Sequence, residues 1–277
     1  MELIQKLVPV CMLGFVLSSM LAMGLGLTIG GIVAPLRDVR RVVLSLLANF
    51  VLVPLAAAGI AALLHLEKPL GIGLLVLGLA AGAPFLPKLA QLAKGNLAFA
   101  VGLMVLLMVV TVVYLPLVLP LLLSGVSVDS GKIARSLVLV MLLPLAVGLV
   151  AKPWLAAAGE RIRSVLLRIA NFSLILFTLL LIIVNFRSVL DIFGTRGILA
   201  GLLFIAISFG IGWFLGGPDP DGRRVVALGT AQRNVAAAIV VGGQSFTDPK
   251  VVVMVVVVAI VGLLILMPLS PKLAPAA

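Results

Sequence analysis

The sequence predicts an all-α polytopic membrane protein with about nine transmembrane helices. Three observations carry this prediction. Hydrophobic residues make up 63% of the 277-residue chain and charged residues 10%, against an apolar share of roughly 45–50% in soluble domains. The mean hydropathy is +1.37. Apolar runs of about 20 residues, the length a helix needs to cross a bilayer, recur from end to end with only short polar breaks between them.

Taken in order, the first run covers 8–34 and continues past Met20 without the small-residue pattern of a cleavage site, so it reads as a span and not as a removed signal. Further spans follow at 42–64, 70–93, 97–123, 133–151, 166–186, 198–215, 225–245 and 250–268. Those at 70–93 and 225–245 are interrupted. No soluble domain, long linker or low-complexity tract fits between the spans, so 1–277 reads as one transmembrane domain.

The formal net charge of +11 would suit a nucleic-acid binder, but only 5% of residues are aromatic and the basic residues form no polar face. They alternate between loops instead. One set holds Arg37, Arg40, Arg41, Lys94, Lys152, Arg161, Arg163, Arg168, Arg223, Arg224 and Lys272. The other holds Lys6, Lys68, Lys132, Arg135, Arg187, Arg196 and Lys250, and is sparser. The positive-inside rule places the denser set in the cytoplasm and the N-terminus outside. The single cysteine, Cys11, excludes a disulfide framework and a cysteine metal cluster. The single histidine, His65, sits with Glu67 and Lys68 in a short loop where no catalytic set can be assembled. Neither an enzyme nor a cofactor is expected, and no metal-ligand set is visible; the partners expected are the lipid bilayer and a small organic anion.

Two cations fall inside spans. Lys88 and Arg233 each sit where a charge costs about 2.5–3.5 kcal/mol even on lenient insertion scales. The nine acidic residues can all be placed in loops or termini, so no carboxylate neutralises either cation within the membrane. A transported anion is the candidate counter-charge.

The prolines explain the first interruption. In "GAPFLPKLAQLAKGN", Pro84 and Pro87 each remove a backbone donor and push the preceding residue away from helical geometry. The helix arriving from Leu70 should break there and restart after Pro87, with Lys88 in the new first turn. Such breaks within a membrane are tolerated where they are buried in protein or line a wet cavity, the device by which secondary transporters bind substrate. The second interruption, "LGTAQRNVAAAIVVGGQSF", gathers Thr230, Gln232, Arg233 and Asn234 in mid-span, before a small-residue run that admits a close neighbour. The two interrupted segments occupy corresponding positions, each followed by one long span. This order predicts inverted repeats at about 8–123 and 133–268.

The stretches "MLAMGLGLTIG", "RDVRRVVLSLLANFVLVPLAAA", "LAKGNLAFAVGL" and "GTAQRNVAAA" resemble the bile acid:sodium symporter family in order and spacing over most of the chain. The resemblance implies core and panel domains, two discontinuous helices that cross at the binding region, and transport of organic anions or other small organic solutes. It further implies a nine-span form whose first helix matches the second of ten-span members. Residue by residue, the sequence departs from the family. Positions that carry sodium-coordinating oxygens in relatives fall on Leu86, Pro87, Ala100, Met104 and Leu228. Gln232 is kept, and Asn49 stands where relatives have Gln or Asn ahead of a proline, here Pro54. Hard cations want several oxygens, usually with a carboxylate.

The expectation is therefore a secondary transporter of a small organic anion at the plasma membrane, the inner membrane in a prokaryote. It is not coupled to sodium. Lys88, Arg233, Gln232, Asn234, Asn49 and Thr230 are its candidate substrate-binding residues. Two alternatives stay open: a sodium-coupled symporter with a rearranged sodium site, and a channel or ligand-binding sensor, because broken helices also build filters.

Overall fold

A computed structural model describes residues 2–122, 129–155, 158–184 and 195–275. It is helical, with no strand among the described residues. The chain runs as α1 (Glu2–Gly26), α2 (Ile29–Val33), α3 (Val39–Leu47), α4 (Val53–Leu63), α5 (Lys68–Leu79), α6 (Leu86–Leu92) and α7 (Leu97–Leu122). It continues as α8 (Ser130–Leu137), α9 (Leu143–Leu155), α10 (Ala158–Val184), α11 (Gly197–Leu215), α12 (Pro220–Ala231), α13 (Val235–Ser245) and α14 (Pro249–Lys272). Among the described residues, seven helical stretches are long and apolar enough to cross a membrane. The protein is a multi-pass, all-α membrane protein, as the hydropathy predicts. Arg187, Asn185 and Asp191 lie outside the described residues.

The first apolar run is the clearest boundary error of the sequence reading. It is not one helix to residue 34, because α1 ends at Gly26 and a separate turn begins at Ile29. Four glycines between 24 and 31 weaken helix propensity there. The Thr28 hydroxyl accepts the Gly31 N–H at 3.2 Å and starts the next turn.

Two rods contain a π turn, Ala48–Leu52 joining α3 to α4 and Val138–Leu142 joining α8 to α9. Each turn lies just ahead of a proline, Pro54 or Pro144, which cannot donate to the helical ladder. In the first turn, the Val53 N–H reaches five residues back to the Ala48 carbonyl. The Phe50 carbonyl, four residues before Pro54, accepts the Tyr114 hydroxyl instead.

The helices sort by contact. α1 packs chiefly on α9 and α10, with Gly24 and Gly148 letting the α1 and α9 backbones approach closely. The other group comprises α4, α5, α11, α12, α13 and α14, with α7 laid across both interrupted helices. At its centre is the stretch from Pro220 to Ser245, with 94% of its span window buried against 33–44% for the other six spans. It is shielded from lipid by protein, the condition under which a membrane helix can be broken.

Polar contacts between loops join members of the same charge set. Arg41 pairs with Asp219 at 3.2 Å, Arg224 donates to the Lys94 carbonyl at 3.5 Å, and Lys152 donates to the Leu27 carbonyl at 3.0 Å. On the opposite side Lys250 pairs with Glu67 at 2.8 Å and Arg196 donates to the Leu64 carbonyl at 3.1 Å. Single cysteines at Asp129 and Arg161, in a chain with Cys11 replaced, should therefore react with an impermeant reagent from opposite faces of the membrane. Labelling of both from one face would break this topology.

Candidate functional site

The site is built from two helix breaks that satisfy each other. α5 stops at Leu79, and the chain is extended at Ala80. In a continuous helix the Ala80 carbonyl would accept the N–H of residue 84, but Pro84 has none. That carbonyl accepts the Asn234 N–H at 2.9 Å instead. Ala81 is served by a single side chain, Thr111 on α7, whose hydroxyl accepts the Ala81 N–H at 2.9 Å and donates to the Ala81 carbonyl at 3.1 Å. α6 restarts at Leu86, two residues earlier than the sequence suggested, with Pro87 inside its first turn. A proline costs nothing there, because first-turn N–H groups have no helical acceptor.

The second break uses a cap. α12 ends at Ala231, Gln232 is extended, and the Asn234 side chain accepts the Ala237 N–H at 3.1 Å to start α13. Its amide nitrogen donates to the Gly82 carbonyl at 3.1 Å. One residue thus caps a half-helix, bonds the opposite break through its side chain and bonds it again through its backbone.

Arg233 lies within this crossing, 3% exposed. Its Nε donates to the Leu77 carbonyl at 3.3 Å, Nη1 to Asn49 Oδ1 at 2.6 Å and the Thr230 carbonyl at 3.3 Å, and Nη2 to the Gly78 carbonyl at 2.5 Å and the Asn49 carbonyl at 3.3 Å. A guanidinium has five N–H donors, and each finds one of these oxygens. In this conformation none is left over for a ligand. Asn49 is itself fixed, donating to the Ser45 carbonyl at 2.9 Å and Thr230 Oγ1 at 3.2 Å.

Four of the six residues singled out in the sequence, Arg233, Asn49, Thr230 and Asn234, are thus woven into the crossing itself. Gln232 is beside them, 7% exposed, its amide unbonded among the described residues. With Arg233 it lines a cavity whose volume for a water centre is about 10 Å³, room for about one water molecule. Lys88 is elsewhere. It is exposed on α6, does not line that cavity, and has no ion pair among the described residues. The expectation that Lys88 and Arg233 line one cavity is not met there, because α6 turns the Lys88 side chain outward while neighbouring Leu86 and Leu89 are buried.

Of the five positions that the family resemblance matches to sodium ligands, Pro87 is half-buried and the other four are buried. Leu86 is 1% exposed, Ala100 0%, Met104 1% and Leu228 0%. Leu86 lies against Gly229 so closely that a β-carbon there would meet its Cδ2 at 2.9 Å. No group of three or more His, Cys, Asp or Glu residues suited to a metal occurs among the described residues.

Thr111 and Tyr114 are two partners of the broken backbone that the sequence does not single out. Tyr114 serves the Phe50 carbonyl, which Pro54 orphans four residues on, and Thr111 serves the N–H and the carbonyl of Ala81 in the extended break.

Two interrupted helices cross within a buried helical group of a multi-pass membrane protein, an arrangement that secondary transporters use. The sequence comparisons agree. The family model for the sodium bile acid symporter family matches residues 11–196, and the chain belongs to that family of transporters. It is 29% identical over 249 residues to a protein of Oryza sativa subsp. japonica named probable sodium/metabolite cotransporter BASS2, chloroplastic, covering 87% of this chain and 58% of that protein. It is 28% identical over 138 residues to the uncharacterized sodium-dependent transporter YocS of Bacillus subtilis, covering 48% of this chain and 42% of that protein. The chain thus aligns with little more than half of the first relative's length.

Proposed function

We propose that this protein is a secondary transporter that moves a small organic anion across the membrane by alternating access, without coupling to sodium. The observation that carries the reading is the buried, oxygen-bound guanidinium of Arg233 at the crossing of the two breaks. A positive charge is already built into the region where a co-transported cation would serve. The apolar packing at Leu86, Ala100, Met104 and Leu228 points the same way, because it leaves no side-chain oxygen at those positions. Lys88 is the residue proposed to attract the anion, since its charge has no ion pair among the described residues and lies two residues into the half-helix that follows the first break. The protein is proposed to reside in the plasma membrane.

A second reading, sodium-coupled uptake, is favoured by the names of the two relatives, one a sodium/metabolite cotransporter and the other a sodium-dependent transporter. Uptake of a panel of organic anions into proteoliposomes separates the two. Rates should be unchanged when potassium or choline replaces sodium at constant ionic strength, and a saturable sodium stimulation would establish the second reading. Counterflow belongs to the same experiment: stimulation by anion on the far side is expected of a carrier, and its absence would indicate a pore or a sensor. Lys88→Gln should raise the half-saturating anion concentration about tenfold, the equivalent of about 1.4 kcal/mol, while Lys88→Arg should retain affinity. Unchanged affinity in Lys88→Gln would remove Lys88 from the anion's path.

A further inference from the structure

Three of the five oxygens around Arg233 are carbonyls whose ordinary helical partner is missing, and that says what the guanidinium is for. Gly78 and Thr230 lie in the last turns of α5 and α12, where carbonyls run out of following N–H groups. The residue four after Thr230 is Asn234, whose N–H is committed to Ala80. The Asn49 carbonyl lies in the π turn, whose five-residue register would pair it with the N–H of residue 54, a proline. The Leu77 carbonyl, also in the last turn of α5, and the Asn49 side-chain oxygen complete the set. Both helix ends also carry the negative end of a helix dipole. No Asp or Glu is buried among the described residues, so the ring has partial negative charge and no full one.

We propose that Arg233 is a tethered counter-cation and not a ligand for the transported anion. It clamps the ends of α5 and α12 onto the π turn between α3 and α4, and a free guanidinium ion can take its place once the side chain is removed. The inference stands apart from the transport reading, because it concerns what holds the crossing together whatever passes beside it. All five donors are matched, the acceptors come from three separate elements, and the group is 3% exposed. A substrate ligand would keep at least one donor unmatched. A side chain that merely snorkelled would reach water.

The test is thermal unfolding of the full-length protein in detergent. Arg233→Ala in choline chloride should unfold on the order of 10 °C below the parent. Millimolar guanidinium chloride, far below denaturing concentrations, should recover a large part of that loss with saturable dependence, and the parent should not respond. Adding Asn49→Leu to Arg233→Ala should abolish the recovery, because it removes a side-chain oxygen of the ring. If Arg233→Ala does not accumulate, Arg233→Lys and Arg233→Met carry the test. Lys keeps the charge and should be clearly the more stable, and equal stability would overturn the proposal. A variant as stable as the parent in choline, or a destabilised one that no guanidinium recovers, would overturn it too. Recovery of Arg233→Ala by sodium alone would also overturn the guanidinium assignment. Sodium-stimulated transport by the parent would instead defeat the proposed function and leave this inference standing.

Discussion

Gly82→Ala is expected to prevent the protein from accumulating in folded form. Gly82 has φ +80°, in the left-handed region that a β-carbon disfavours. The larger obstacle is contact. A β-carbon at Gly82 would lie 2.2 Å from the Met108 nitrogen, 2.6 Å from its Cα and 2.8 Å from the Leu107 carbonyl carbon. These are main-chain atoms of α7 and cannot rotate aside. Relief would require moving α7 away from the break, and that would separate Thr111 from Ala81 and leave the N–H and the carbonyl of that buried residue unpaired. The cost falls in the exceptional class, on the order of 4 kcal/mol or more. Gly217 provides the control. It has φ +83° with nothing within 4 Å of its added β-carbon, so Gly217→Ala should cost about 1–2 kcal/mol, the left-handed penalty alone. Yield and unfolding midpoint in detergent measure both variants. If they behave alike, the close passage of α7 over the first break is not the constraint described above.

This close passage also marks where sequence reading stops. The spans were legible because apolar length is a one-dimensional property, and most boundaries from the Val39 rod to α14 lie within a few residues of where hydropathy placed them. The breaks were legible because Pro84, Pro87 and the polar run at 230–234 are local signals. The partners of the breaks were not. Nothing near Thr111 or Tyr114 in the sequence announces that their hydroxyls reach backbone 30 and 64 residues away. The sequence marks the charge of Arg233 as anomalous, and no Asp or Glu is buried among the described residues. Naming a transported anion as the candidate counter-charge overlooked another source of negative potential, main-chain carbonyls at helix ends and at a π turn. Such oxygens carry no letter in the sequence. They appear only where a helix stops, and a stop in one helix becomes a site when another helix arrives with a donor.

Asn234 is where two such stops meet, and its removal should have the second largest effect. Asn234→Ala deletes the acceptor that caps α13 at the Ala237 N–H, a loss of about 1 kcal/mol in typical caps. It also leaves the Gly82 carbonyl without its donor in a fully buried place, a further cost of about 1–3 kcal/mol. The backbone bond from the Asn234 N–H to the Ala80 carbonyl survives in principle, so the crossing should loosen without coming apart. A total of about 2–4 kcal/mol follows if the two losses add. Asn234→Asp divides the two roles. An aspartate can still accept from Ala237, but its second oxygen would face the Gly82 carbonyl with no hydrogen to offer. A carboxylate there also enters an interior that is otherwise free of acids among the described residues. Asn234→Asp should therefore be at least as destabilising as Asn234→Ala at neutral pH, and protonation at lower pH should restore a donor toward Gly82 and recover stability. Unfolding midpoints of both variants across pH read this directly. Near-parental stability of Asn234→Asp at neutral pH would mean that the cap alone matters and that the side chain does not tie the two breaks together.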